Sequence, residues 1–296
     1  MTALRQESSG APAPERAWVN GRPAAKISVL ERGLHYGDGL FETIACLGGE
    51  PRLLRRHLRR LGAGCARLGL DAADLPGLAE EVREQAREAP RAILKVLLTR
   101  GPALERGYGV TGRERTTRIM LRYAWPEEDP SLAQQGVRVR IAGMRLGENP
   151  ALAGLKHCNR LEQVLARREW ADPGIVEALM FSSSGALISG TMTNVFLVQD
   201  ARLYTPRMDR CGVAGVMREV VLETAAAAGI LASECVLDAA ALARAQEVFL
   251  TNALIGIRPV RELAGTSLAP GPVTRQLQAR LAALLASGAL SGDGDA

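Results

Sequence analysis

The sequence predicts an α+β chain in two unequal parts: a small α/β sandwich of one sheet with helices on one side, then a larger, β-rich, barrel-like part with helices. Three observations predict it. Residues 16–125 alternate strand-like runs with two amphipathic helical stretches. The polar, proline-bearing run W-P-E-E-D-P-S then breaks that pattern. Beyond it, short strand-like runs crowd together between turn residues, the layout of a compact barrel or sandwich. A length of 296 residues, 47% hydrophobic and 23% charged, suits one or two globular domains.

In chain order, residues 1–15, rich in Ala, Pro, Ser and Gly, read as a disordered tail. A-W-V-N-G-R-P opens a hairpin on its Asn-Gly turn, and F-E-T-I-A-C-L-G-G-E-P-R-L-L reads as strand, turn and strand. R-R-H-L-R-R-L-G-A-G-C-A-R-L carries apolar residues at helical spacing, a second helix covers 74–88, and strands follow near 91–100 and 116–124. The small domain spans 16–125, the linker 126–136 and the larger domain 137–290. Within the latter, G-V-R-V-R-I-A alternates as a strand, and a helix begins near Asn159 or Arg160. V-E-A-L-M-F, A-L-I-S, N-V-F-L-V and A-R-L-Y-T-P are strands, and a helix covers 215–228. E-V-F-L-T-N is a further strand, with a closing helix over 271–287. No internal repeat is present.

Composition narrows the partners. No segment approaches the roughly 20 apolar residues of a membrane span, and the N-terminus lacks the apolar stretch of a secretory signal, so a cytoplasmic protein is expected. Five cysteines and three histidines lack metal-site spacing. The net charge of +5 comes from arginines interleaved with acids, and aromatics are only 4% of the chain, which argues against nucleic acid and for an anionic small molecule.

Lysine and arginine together number 37, yet only Lys26, Lys95 and Lys156 are lysines. Lys26, in K-I-S-V-L, and Lys95, in R-A-I-L-K-V-L-L-T-R, read as strand residues. Lys156 lies in G-L-K-H-C-N-R-L-E beside His157 and Arg160. Lysine, unlike arginine, loses its proton when desolvated or set beside cations, and the neutral amine attacks carbonyls. A Schiff-base nucleophile and an ordinary surface lysine both fit this spacing. A second segment, C-G-V-A-G-V-M-R-E-V over 211–220, places two glycines before a helix, whose unpaired N–H groups and dipole suit phosphate. A carbonyl cofactor that needs one lysine and one phosphate cup is pyridoxal 5'-phosphate.

R-G-L-H-Y-G-D-G-L-F-E-T, H-L-R-R-L, R-G-P-A-L-E-R-G-Y, N-P-A-L-A-G-L-K-H-C-N-R-L-E-Q-V-L, G-T-M-T-N-V-F, T-P-R-M-D-R-C-G-V-A-G-V-M-R and T-N-A-L follow one another in this chain. In that order they resemble the fold-type IV pyridoxal-phosphate enzymes, and the K-H-x-N-R-L-E-Q block resembles their aminodeoxychorismate lyase branch. The resemblance implies that Lys156 holds the cofactor and later moves protons, that Arg60 binds the phosphate, and that the N–H groups of Val216 and Met217 complete the phosphate cup. Without it, Arg60 would read equally well as a helix-surface charge among Arg55, Arg56 and Arg59.

One departure stands out. Most of these enzymes carry a glutamate at the pyridine nitrogen five residues before the asparagine of N-x-F, where this chain has Ser189. A hydroxyl cannot stabilise the pyridinium as a carboxylate does, so the electron sink on which transamination depends is weaker. Ser189 thus favours elimination, unless another acid such as Glu177 approaches. The implied reaction converts 4-amino-4-deoxychorismate to 4-aminobenzoate and pyruvate, with amino-group exchange by a branched-chain or D-amino-acid aminotransferase as the alternative. For the substrate's two carboxylates the candidates are Arg106 and Tyr108 of R-G-Y, with His35 and Tyr36 lining the pocket, although Gly37 and Gly39 point to a tight turn there. The resemblance also implies a homodimer with active sites near its interface.

Overall fold

The structure, a computed structural model, describes residues 13–72, 74–127 and 129–290; most of the expected tail lies outside them. The first sheet contains β1 (Arg16–Val19), β2 (Arg22–Pro23), β3 (Gly39–Leu47), β4 (Glu50–Pro51), β5 (Arg91–Thr99) and β6 (Thr117–Ala124). Its order is β2-β1-β6-β5-β3-β4, with every pairing antiparallel. The first hairpin turns on Asn20 and Gly21, both at positive φ (51° and 75°), the geometry that follows the natural twist of a two-residue turn.

Helices α1 (Arg32–Tyr36), α2 (Leu54–Leu68) and α3 (Leu75–Arg87) accompany this sheet. Leu54, Leu61 and Cys65 of α2 and Leu78 and Val82 of α3 bury one stripe each against Leu40, Ile44, Leu94 and Val96. Along β3, Leu40, Glu42 and Ile44 therefore face the helices, and Phe41 and Thr43 face the other way.

The second sheet takes β7 (Val137–Leu146), β8 (Ile175–Ser182), β9 (Leu187–Gly190), β10 (Asn194–Gln199), β11 (Arg202–Pro206), β12 (Ala232–Cys235), β13 (Glu247–Asn252), β14 (Gly256–Leu263) and β15 (Thr266–Ser267). Its order is β12-β11-β10-β13-β14-β7-β8-β9, with β15 on β14. Register shifts in the β14/β7, β7/β8 and β8/β9 pairings bend and curl it. Helices α4 (Leu132–Gln135), α5 (Leu161–Arg167), α6 (Val216–Ala227), α7 (Ala239–Ala243) and α8 (Pro272–Ala286) complete the chain.

The central strands are buried on both faces, which explains their unbroken apolar runs. Phe196 and Phe249 pack toward α6 and α8 with Val220 and Leu277, while Val195, Leu197 and Leu250 fill the opposite face. The rings of Phe196 and Phe249, directly paired in register, stack with centroids 4.9 Å apart and planes 9° from parallel.

Several elements depart from the sequence expectation. Residues 26–30 form no strand; the stretch is exposed and no neighbouring strand pairs with it. L-H-Y-G-D-G does turn, with Gly37 at φ 64°, but only after the single helical turn of α1, which Glu31 caps from Gly33 N. The short helices α4 and α7 and the strands β12, β14 and β15 add to the elements that the sequence predicts.

Candidate active site

Lys156 sits where the two sheets meet. Phe41 N donates to Lys156 O (2.9 Å) and Cys158 N to Gly39 O (2.9 Å), so residues 156–158 run along the free edge at the start of β3. On the other side, Gly154 N donates to Gly212 O (3.0 Å) and Ala214 N to Gly154 O (3.1 Å). The lysine is thereby fixed between β3 and the loop that leads into α6. The residue as a whole is half-buried, but its amine end is enclosed, with Nζ 4.1 Å from the centre of the Phe41 ring. Burial, reinforced by the charge of Arg60, lowers the amine to about 8, against the opposing pull of Glu42. Near pH 8 this amine is therefore far more readily neutral than an unperturbed lysine.

Arg60 lies on α2, on the side turned toward Glu42. Its Nε donates to Glu42 Oε1 (2.8 Å), its Nη2 to Glu42 Oε2, and its Nη1 to the carbonyl of Ala214 (2.9 Å). Glu42 is only 2% exposed and also receives His57 Nδ1 on Oε2 (2.6 Å). Burial alone would push its carboxyl up, yet Arg60 and His57 hold it down to about 2. Burial lowers His57 despite Glu42, and because the ionised carboxylate can only accept, Nδ1–H is the donor.

Helix α6 starts beside this guanidinium. Its N-cap is Gly215, which supplies no side chain to the first turn and leaves the amides of Val216 and Met217 without a side-chain acceptor. Only glycine fits there: a Cβ would lie 2.0 Å from Asn194 Oδ1, and Asn194 is itself anchored through Nδ2 to Val213 O (2.9 Å). Arg60 and Gly154, two residues before Lys156, thus both bond the loop that leads into α6, and the charge of Arg60 reaches the Lys156 amine. An amine that readily loses its proton, a guanidinium and an uncapped helix end make a donor set that fits an aldehyde carrying a phosphate.

The remaining predicted residues lie differently. Ser189 is buried in β9 and donates to Gly190 O (2.8 Å). Glu177 does not stand in for the missing acid. Its carboxylate is buried and holds the following turn by accepting from Thr191 N (2.9 Å), Thr191 Oγ1 (2.5 Å), Met192 N (3.1 Å) and Thr193 Oγ1 (3.1 Å). His157 carries no charge beside the lysine, since burial and Arg160 push its ring down to about 4. Lys95 is no bystander strand residue. Its Nζ is 5.4 Å from the same Phe41 ring, and its charge helps lower Lys156.

Arg106 and Tyr108 are exposed, Tyr108 at 85%. The Arg32 guanidinium ties down their loop by donating to the carbonyls of Gly107 (3.2 Å), Tyr108 (3.0 Å) and Gly109 (3.1 Å). Tyr108 packs on Tyr36 (5.2 Å between centroids), His35 meets Tyr36 edge-on (5.7 Å), and His35 Nε2 contacts Val29 O (2.7 Å). The structure therefore gathers His35, Tyr36 and Tyr108 with each other, not with Lys156. The turn after α1 meets the lysine loop through Asn159 Nδ2 to Gly37 O at 3.5 Å. A cavity of about 320 Å³ opens beside that loop, lined by His157, Asn159 and Arg160 among others, but not by Lys156 or Arg60. Among the described residues no group of three or more His, Cys, Asp or Glu is placed to hold a metal, and no helix is long and apolar enough to cross a membrane.

Sequence reasoning missed Glu42 and His57. The signal was present. Alternation in β3 puts Glu42 on the apolar face, where a charge needs partners, and His57 and Arg60 are three apart on one helix face.

The chain is similar to several known proteins. Residues 39–263 match the family described as amino-transferase class IV. An aminodeoxychorismate lyase from Vibrio harveyi is 31% identical over 268 residues, covering 89% of this chain and 98% of the relative. The crystal structure of 4-amino-4-deoxychorismate lyase from Pseudomonas aeruginosa superposes with a TM-score of 0.85 at 46% identity, over 90% of this chain and 97% of that one. The branched-chain amino acid aminotransferase of Escherichia coli gives a TM-score of 0.81 at 25% identity, over 95% and 96% of the two chains. The chain belongs to the class IV aminotransferase family, with the fold-type IV architecture.

Proposed function

We propose that this protein is a pyridoxal-phosphate-dependent lyase that converts 4-amino-4-deoxychorismate to 4-aminobenzoate and pyruvate, a step toward folate. The observation that carries the cofactor reading is that Arg60, whose charge reaches the Lys156 amine, and Gly154 both bond the loop that leads into the uncapped start of α6. Likeness to lyases at 31% and 46% identity supports the choice of reaction. When bound, the cofactor supplies an aldehyde that reacts with amines and a ring that accepts electrons from the neighbouring carbon.

The chain's own residues supply the rest. Lys156 would hold the aldehyde, and its amine would take the proton from the amine-bearing carbon of the substrate. It returns a proton to the departing enolpyruvyl group, which leaves as pyruvate while the ring becomes aromatic. Arg60 and the amides of Val216 and Met217 would hold the phosphate. Ser189, whose hydroxyl donates to Gly190 O, would offer the ring nitrogen no carboxylate, which suits elimination better than amino-group exchange. The aminotransferase alternative draws on the likeness to the Escherichia coli enzyme.

The two sheets are read as two domains, residues 16–125 and 137–290, joined by 126–136, since β6 ends at Ala124 and β7 begins at Val137. We place the protein in the cytoplasm, in keeping with five free cysteines. A homodimer accounts for exposed apolar side chains on two segments, Val29, Leu30 and Leu34 around α1 and Leu161, Val164 and Leu165 on α5. Near such an interface Arg106, Tyr108 and His35 can meet the carboxylates of the substrate. The test is incubation of purified protein with aminodeoxychorismate and no keto acid. Equimolar pyruvate and 4-aminobenzoate are expected, whereas turnover that requires an added keto acid points to the aminotransferase.

A further inference from the structure

We propose that Glu42 is a positioning residue: its carboxylate, braced by His57, aims the guanidinium of Arg60 at the start of α6 and so sets how tightly the phosphate end of the cofactor is held. The inference rests on the cofactor reading above.

An arginine side chain has many rotamers, and a carboxylate that takes two of its N–H groups in one plane removes most of them. Glu42 takes Nε and Nη2 of Arg60, which leaves Nη1 directed at Ala214 O, one residue before the N-cap of α6. His57 Nδ1 occupies a further acceptor site on Glu42 Oε2 at 2.6 Å, so the carboxylate cannot swing away. Both braces are buried, Glu42 at 2% and His57 at 1% exposure. The neighbouring arginines of α2 are anchored otherwise. Arg56 reaches Glu223 (2.8 Å on both oxygens) and Arg59 reaches Glu219 (2.8 Å), which docks α2 on α6 with acids on the α6 surface. A buried acid alongside these, also carrying a histidine, is built to orient a side chain rather than to fasten two helices.

Glu42 has two opposing effects on a phosphate. It offsets part of the Arg60 charge, and it holds the donor where the phosphate would sit. A buried arginine without its partner keeps a desolvation cost and loses its direction, so the second effect is expected to prevail.

The test is titration of the cofactor-free full-length protein with pyridoxal phosphate and, separately, with pyridoxal, which lacks the phosphate. At metal sites, removing the partner that orients a ligand costs on the order of 10- to 100-fold in affinity, and a loss of that order is expected for an oriented phosphate-binding arginine. Glu42→Gln is expected to lose that much for pyridoxal phosphate. For pyridoxal it should stay within about twofold of wild type, and adding it to Arg60→Ala should cost nothing further. Unchanged or tighter pyridoxal phosphate binding, or equal losses with both probes, would overturn the inference. Should Glu42→Gln fail to fold, Arg60→Lys decides: it keeps the charge but cannot grip Glu42 and Ala214 together. A loss close to that of Arg60→Ala supports the inference and wild-type affinity overturns it. A wild-type protein that binds no pyridoxal phosphate sinks the cofactor reading itself, whereas wild-type binding with an indifferent Glu42→Gln sinks only the role of Glu42.

Discussion

Lys156→Ala is expected to lower lyase turnover by about 10³-fold or more, since positioned proton transfer alone contributes on the order of 10²–10⁴ and the covalent attachment is lost with it. Neither other lysine is bonded through its backbone to the loop ahead of α6. Lys26 is exposed on the 26–30 stretch, and Lys95 is held in mid-strand by its pairing with Thr43 and Leu121. Burial and Arg60 bring the Lys156 amine to about 8 at a place fixed by backbone bonds to β3 and to the α6 loop. The check is pyruvate release together with the visible absorbance of bound cofactor, both of which should vanish. Substantial turnover in the variant would show that the chemistry resides elsewhere.

Phe249→Ala should have the largest effect on stability, about 3–5 kcal/mol, the usual cost of removing a fully buried ring. Phe249 is wholly buried, stacks on Phe196, and lies in β13 between β10 and β14. Its cluster includes Val216 and Met217, so the cavity would open beneath the first turn of α6, and loosened cofactor retention should accompany the loss. A fall in Tm on the order of 10 °C is expected for a chain of this size. Phe249→Leu, which fills most of the space, should lose far less. A loss below about 1 kcal/mol in Phe249→Ala would mean that the site collapses around the missing ring.

The parts of the fold legible in the sequence are those whose signal is local. The Asn20-Gly21 turn, the apolar stripe of α2 and the doubly buried N-V-F-L-V strand each follow from a few adjacent residues. What escaped depends on distant partners. Helices α1, α4 and α7 have five residues or fewer, too short to form from propensity, and exist because surrounding structure holds them. Strand β14 contains Pro259, which lacks a ladder N–H and reads as a breaker, yet it lies between β13 and β7 with a register shift just beyond the proline. The polar β12 is an edge strand with little to mark it.

The site divides in the same way. Scarcity singled out Lys156, and two glycines before a helix singled out the α6 terminus; the structure brings both together with Arg60. The Glu42–His57–Arg60 unit is legible only once α2 is known to lie over β3 in this register. Arg106 and Tyr108 have the chemistry to meet a carboxylate, but the loop that carries them is tied by Arg32 to the surface around α1.

Reducing the holoprotein with sodium borohydride and mapping its peptides by mass spectrometry tests most directly whether Lys156 is the attachment point. A pyridoxyl phosphate group on the peptide containing Lys156 is the predicted result. The same group on Lys26 or Lys95, or on no lysine at all, would contradict it.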